Sequence, residues 1–155
     1  MTIHFRKAEL SDIEVLLTFE QELIQHELPM DLSMKRDEKI YYYNLPELIH
    51  SPDVEFLVAV TDQKVVGCGY GKIKENTEKQ AEGKYGYIGF MFVAKDYRGN
   101  RIGEQIINRL NGWFRSKQIR ETRLDVYDQN PNAIRAYQRA GFSKLKLEMI
   151  RFLED

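Results

Sequence analysis

The chain is short of several things. It has one cysteine, Cys68, four prolines among 155 residues, and a net charge of only −1. A single cysteine excludes an internal disulfide and a cysteine metal cluster, so Cys68 reads as a small buried apolar residue in a reducing compartment. No apolar run approaches the roughly 18 residues of a membrane span, and no membrane role is expected. A charge near zero argues against a dedicated nucleic-acid binder. The opening MTIHFRKAEL lacks a basic head followed by an apolar stretch, so no secretory signal is expected and a cytoplasmic location is. The Walker pattern GxxxxGK with Ser or Thr is absent, and so is the dinucleotide pattern GxGxxG. No metal site is expected.

The length suits one compact domain, residues 1–155. Charge is unevenly spread: residues 1–50 carry ten acids against five bases, and bases lead from Lys95 onward. That asymmetry suggests separate surfaces for a cation and an anion. Thr2 to Arg6 alternates as a strand does. Ser11 to Glu14, SDIE, has the form of a capping box opening a helix to about Gln25, with a loop and a short second helix behind it. Strands are expected at Glu55–Thr61, Lys64–Glu75, Tyr85–Val93 and Thr122–Tyr127, with a tight turn at Asp62–Lys64. Helices are expected after Gly103 and over Pro131–Ala140, and the closing KLKLEMIRFL has strand character. The order is mixed α and β.

YRGNRIG, Tyr97 to Gly103, stands just before the amphipathic run EQIINRLNGWF, whose Ile102, Ile106, Leu110 and Trp113 or Phe114 share one stripe. A helix mouth leaves N–H groups unpaired and partly positive, and glycines let an anion approach the backbone. Arg98 and Arg101 are placed to add charge-assisted bonds. Gly86 and Gly89 inside a strand mark either a bulge or a close packing contact. In NPNAIRAYQRAGF, Asn130 suits an N-cap and Pro131 the first helical position, while Ala133, Ala136, Tyr137 and Ala140 form a narrow face of small residues.

Taken together and in this order, the two stretches resemble the GNAT superfamily of N-acetyltransferases. Arg98, Arg101 and Gly103 stand at the marked positions of that family's acetyl-CoA signature, with Arg101 where a glycine is usual and an ordinary first-turn helical geometry expected there. FMFVAKDYRG matches the family's strand and turn. Asn130, Ala133, Tyr137, Gly141 and Phe142 fall on its second motif. The resemblance implies an α/β fold with a mixed sheet of six to seven strands, about four flanking helices, and a splay between the fourth and fifth strands that Gly89 helps to open. It implies acetyl-CoA as cosubstrate, its pyrophosphate on the N–H groups of Arg98, Gly99, Asn100, Arg101, Ile102 and Gly103, and its pantetheine along Met91, Phe92 and Val93. Asn130 and Ala133 line the other wall, and Tyr137 faces the sulfur.

Such a transfer needs an amine freed of its proton, which for a lysine-like group at pH 7 costs about 4 kcal/mol. It also needs an oxyanion donor, for which Met91 N–H is the candidate, and an acid for the thiolate, for which Tyr137 is. Where relatives carry a strand carboxylate this chain has Gly89 and Phe90. The base is left open among Tyr85, Tyr87, Glu20, Glu22 and His26. The amine acceptor is expected beside the acidic helix Glu14–Glu27 and the cluster Tyr41, Tyr42, Tyr43. The expected function is acetyl transfer to a primary amine by a monomer or homodimer. The rivals are a silent acyl-CoA-binding module and a nucleotide binder unrelated to CoA.

Overall fold

The computed structural model describes residues 1–155. Five strands form one sheet in the order of the chain: β1 (His4–Lys7), β2 (Val54–Thr61), β3 (Lys64–Glu75), β4 (Lys84–Val93) and β5 (Thr122–Arg123). β1 to β4 pair antiparallel, and β5 joins β4 in parallel. Four helices flank them: α1 (Ile13–Glu27), α2 (Leu45–His50), α3 (Ile102–Ser116) and α4 (Pro131–Arg139). The sheet is shorter than the six to seven strands expected. TRLDVY pairs only at Thr122 and Arg123, and KLKLEMIRFL joins no strand at all. Asp62 and Gln63, both at positive φ, make the two-residue turn between β2 and β3, as paired strands with their native twist require.

The two faces of the sheet carry separate cores. Leu16 and Phe19 of α1 and Leu45 of α2 pack with Phe56, Val58, Cys68, Tyr70, Phe90 and Phe92 on one side. Ile102, Ile106, Ile107, Leu110 and Phe114 of α3 pack with Leu57, Ala59, Val66 and Ile88 on the other. Of the two aromatic candidates closing the α3 stripe, Phe114 is the buried one, and its ring lies on two glycines. A Cβ at Gly86 would stand 2.5 Å from that ring and one at Gly71 2.7 Å from it. Bare backbone at those points lets α3 settle directly on β3 and β4.

The start of α1 departs from expectation. Ser11 lies within a short 3-10 turn, Leu10–Asp12, and the capping box is one formed by Glu9 and Asp12, whose Oδ2 accepts from Glu9 N–H at 2.8 Å. Both Asp12 oxygens also accept from the Arg6 guanidinium, at 2.8 and 2.9 Å. That bidentate bond ties β1 to the start of the helix. It holds the Asp12 carboxyl below its ordinary range, against the opposing effect of burial.

The largest irregularity sits in β4. Tyr70 pairs with Gly89 and Cys68 with Phe92, so Phe90 and Met91 together oppose Gly69. Phe90 adopts φ 51°, the left-handed region. This bulge lies one residue beyond the glycine expected to carry it. Gly89 is bare for another reason: the Tyr70 ring would stand 2.5 Å from a Cβ there. The left-handed turn, costing on the order of 1 kcal/mol, is held by packing of the Phe90 ring, which stacks on Tyr43 at 4.5 Å and meets Phe56 at 6.1 Å.

Two outcomes follow from these contacts. Gly86→Ala forces its methyl into the immobile Phe114 ring and is expected to cost about 1 to 3 kcal/mol in urea unfolding, the usual range for overpacking. For Asp12, a lowered folded pKa means stability that is present above the ordinary carboxylate range and is lost as pH falls through the lowered value. The denaturant midpoint therefore drops on acidification in the native protein, and Asp12→Asn lowers it at neutral pH while flattening that acid dependence.

Candidate functional site

α3 begins without a cap. Arg101 occupies the N-cap position at φ 59° and ψ 25°, left-handed rather than helical as the sequence reading had it, and its side chain bonds to no helix N–H. None of the N–H groups from Gly99 to Gly103 finds an acceptor in the protein. The left-handed residue turns the chain so that successive N–H groups converge on one side, a concavity suited to an anion. Gly99, at φ 84°, has nothing within 4 Å of a Cβ position, and Gly103 meets only Met91 Cε at 3.9 Å. Packing within the protein therefore does not require a glycine at Gly103. The space above the backbone is open.

The two arginines differ from expectation in part. Arg98 Nε donates to the Val93 carbonyl at 2.8 Å, and its guanidinium lies 5.7 Å from the Phe92 ring centre. It braces the loop against the end of β4, with only its terminal nitrogens left for a ligand. Asn100 Nδ2 donates to the Tyr97 carbonyl at 3.0 Å and closes the same loop. Arg101 is exposed and unpaired. Ile102 is buried in the core, so it offers a ligand only its N–H.

β4 and β5 separate early. They pair at Gly86 with Thr122 and at Tyr87 with Arg123, and Ile88 to Val93 have no partner on that side. The bulge at Phe90 turns the strand away before a longer ladder can form. A slot with an unpaired strand edge results, leading from the α3 mouth toward Tyr87 and Asp125, whose side chains bond across it at 2.9 Å. The Phe92 side chain is buried against Phe19, ring centres 4.7 Å apart, so of Met91, Phe92 and Val93 the middle residue presents backbone alone.

The second motif forms the opposite wall. Asn130 Oδ1 caps α4 by accepting from Ala133 N–H at 3.2 Å, as its position in the sequence predicts. That leaves its amide NH2 uncommitted. Tyr137 packs edge-on against Phe142 at 6.3 Å, and no protein group bonds its hydroxyl. Burial, with a smaller contribution from Glu27, pushes its pKa up to about 12. The hydroxyl is a proton donor throughout the neutral range.

Around Tyr137 the structure assembles a group that the sequence reading only partly named. Burial raises the Glu27 carboxyl above its ordinary range, against a hydrogen bond from Tyr42 that favours the charged form. Its field reaches Tyr42, Tyr43, Tyr127 and Tyr137. Asp31 accepts from the Tyr127 hydroxyl at 2.7 Å and from Ser33, and these bonds keep it ionised. Met34 Sδ lies 3.4 Å from the Tyr42 hydroxyl. One polar cluster thus joins the end of α1, the segment after it, and the chain beyond β5. Nothing in the local pattern marks Glu27 apart from its neighbours, because its proximity to Tyr137 spans more than a hundred residues.

The other base candidates sit elsewhere. Glu20 is fully buried, and its Oε2 accepts from both Tyr42 and Tyr43 N–H at 2.8 Å while Oε1 finds no partner. That is a tether for the tyrosine segment. Glu22 and His26 are exposed on α1, and Tyr85 lies beneath the Arg123 guanidinium at 5.1 Å. Tyr87 is held protonated by burial and by Asp125. Cys68 is buried, its thiol pKa raised by burial, as a structural residue has it.

Comparison with known proteins agrees with this geometry. A relative described as "IAA acetyltransferase", from Azospirillum brasilense, is 31% identical over 97 residues, covering 63% of this chain and 60% of its own length. The match thus spans about three fifths of that relative. A mutant BH1408 protein from Bacillus halodurans superposes with a TM-score of 0.87 at 21% identity, over 99% of this chain and all of its own. A protein described as a predicted acetyltransferase from Clostridium acetobutylicum, solved with acetyl-CoA, gives 0.74 at 19% identity over 96% of both chains. The aminoglycoside enzyme AAC(6')-Iy, solved with a bisubstrate analogue built on CoA, gives 0.75 at 14% identity over the whole of both chains. The "Acetyltransferase (GNAT) family" model matches residues 20–142, and with the uncapped helix mouth beside the splayed strands this places the chain in the GNAT family of acetyltransferases.

Proposed function

We propose that the protein transfers an acetyl group from acetyl-CoA to a primary amine. The observation that carries this reading is the run of unpaired N–H groups at Gly99 to Gly103 opening onto the unpaired edge of β4. These residues fit the cosubstrate on the structure's own terms. The helix mouth supplies donors and a positive partial charge for a diphosphate, the bare Gly99 and Gly103 leave it room, and Met91 to Val93 offer a strand edge to an amide-bearing arm. The NH2 group of Asn130 serves the arm from the other wall. The bound thioester supplies an activated acyl carbon, and the protein supplies the rest.

Glu27 is the base. A carboxylate whose pKa is raised by burial is better matched to taking a proton from an ammonium group than an exposed one. Asp31, kept ionised by Tyr127 and Ser33, attracts the cationic acceptor into the pocket. Met91 N–H, next to the left-handed Phe90, stabilises the charge that develops on the carbonyl oxygen. Tyr137 donates the proton that the departing thiolate requires. The supporting particulars are its free hydroxyl and a pKa of about 12, which keep the proton on the oxygen throughout the neutral range and available as a hydrogen-bond donor to the sulfur as charge develops there.

Thiol release from acetyl-CoA against a panel of primary amines tests the reading, and its failure on a broad panel despite tight CoA binding would favour a silent binding module. With a turned-over amine, Tyr137→Phe is expected to lower kcat by about 100-fold while KM for acetyl-CoA moves little. The acid limb of kcat reports the bound state, and since ionised Glu27 is the active form, activity falls as pH drops through a pKa above the ordinary value of about 4.3. Glu27→Gln removes that limb along with most of the rate.

The helix mouth makes a separate prediction. Arg101→Gly meets the left-handed conformation without strain and keeps CoA affinity within about threefold, whereas Arg101→Val, branched at a position with φ 59°, lowers both thermal stability and affinity. CoA is expected to raise the melting temperature and ATP to leave it nearly unchanged.

A further inference from the structure

The sheet ends unevenly at the edge away from the splay. β1 stops at Lys7, which pairs with Leu57, and the last bond on that side runs from Ala8 N–H to the Phe56 carbonyl at 2.8 Å. Val54 and Glu55 continue past it with no strand beside them there. Two helices also finish at this end, one from each face of the sheet. Pro52 cannot extend a helix and holds Ser51 before it in the extended region, so α2 closes at His50. α3 closes at Ser116, after which Gln118 at φ 62° turns the chain back and sends Ile119 into the core, leaving Lys117 exposed at the rim. Between these ends lies a cavity of about 300 Å³, at the small end of the range for ligand sites.

The side chains around the cavity are rich in donors and poor in acceptors. His50 and Lys117 line it, and neither meets a carboxylate. The Ser51 hydroxyl oxygen accepts from Asp53 N–H at 3.2 Å, while its own proton finds no acceptor, and the indole N–H of Trp113 finds none either. Glu55, its side chain only 16% exposed, is the one carboxylate in the lining, and Lys7 meets it at 3.4 Å. Glu9, Glu47 and Asp53, close by in the chain, do not line the cavity. The lining therefore carries surplus positive charge in a chain whose net charge is −1. Buried Val54 and Phe56 and the half-buried Trp113 give it an apolar wall.

We infer that this cavity binds a phosphate monoester of a small polar molecule. Lys7, Lys117, His50 and the Ser51 hydroxyl hold the phosphate, and the carbon part lies toward Trp113. Two ammonium groups, an imidazole and a hydroxyl are a donor set suited to such an anion, and the bonds from the ammonium groups are charge-assisted. Inorganic phosphate alone leaves most of the volume unfilled. A cationic guest gains little, because the one lining carboxylate is already answered by Lys7. The ligand and Glu55 compete for Lys7, so Glu55 restrains the affinity. The cavity is also separate from the site read for acetyl-CoA: α3 carries Trp113 and Lys117 at the end opposite Arg101, about 20 Å away at 1.5 Å per residue. The inference therefore does not rest on acetyl transfer.

Trp113 is the only tryptophan of the chain, so its emission reports this cavity without a competing signal. Titration with glycerol 3-phosphate is expected to change that emission saturably below about 10 mM, and uncharged glycerol is not. Amide chemical shifts of residues 50–55 give a second readout that does not depend on the indole. Lys7→Ala combined with Lys117→Ala, both exposed and outside the core, weakens binding by about tenfold or more with the circular dichroism spectrum unchanged. Glu55→Gln frees Lys7 and removes a repulsion, and it tightens binding. Arg98→Ala, at the helix mouth, leaves it unaltered. No saturable change in either readout, an equal response to glycerol, an affinity indifferent to the lysine pair, weakening by Glu55→Gln, or loss with Arg98→Ala overturns the inference.

Discussion

The site depends on one backbone event, the left-handed turn at Phe90. Because Phe90 and Met91 together face Gly69, β4 changes direction halfway along and its later half cannot follow β5. The turn is unfavourable by itself. It persists because the Phe90 ring is sandwiched among Tyr43, Phe56 and the residues beneath α1, so the core on one side of the sheet holds open a slot on its edge. On the other side Phe114, seated on Gly71 and Gly86, fixes the height of α3 above the sheet and with it the position of the helix mouth relative to that slot.

Electrostatics then divides the slot into two ends of opposite character. At the α3 end the polarity comes from the backbone, through N–H groups that the protein itself leaves unanswered, and only secondarily from the arginines. At the far end it comes from carboxylates, Glu27 with its pKa raised by burial and Asp31 with its pKa lowered by its bonds to Ser33 and Tyr127. The early excess of acids in the sequence is therefore not one surface. Glu20 is structural, Glu22 faces solvent, and Glu27 and Asp31 lie beside Tyr42 and Tyr127.

Several of these features were legible in the residues. The spacing of Arg98, Gly99 and Gly103 ahead of an apolar stripe located the helix mouth, and Asn130-Pro131 located the cap of α4, because both are local patterns with local causes. What escaped depends on contacts distant in the chain. The left-handed geometry of Arg101 is imposed by the loop that Arg98 and Asn100 brace. The bulge fell on Phe90 rather than Gly89 because the rings of Tyr43 and Phe56 hold the Phe90 side chain, and a glycine's freedom is only one way to reach positive φ. The capping box falls on Glu9 and Asp12 rather than on Ser11 and Glu14, with Asp12 also held by Arg6 of β1, a residue outside the local pattern. The short β5 has the same kind of cause: alternation shows that Thr122–Tyr127 can form a strand, but not whether a neighbour is present to pair with it.

Glu20 fastens the amides of Tyr42 and Tyr43 to α1 with one carboxylate oxygen and leaves the other dry and unmatched. Those two tyrosines are thereby mechanically part of the first helix rather than of the loop that carries them. Any widening of the pocket to admit a bulkier guest falls to the stretch between Asp31 and Lys39, which belongs to no helix or strand and is held by side-chain bonds of Tyr127 and Arg36 that can be exchanged without disturbing the aromatic floor.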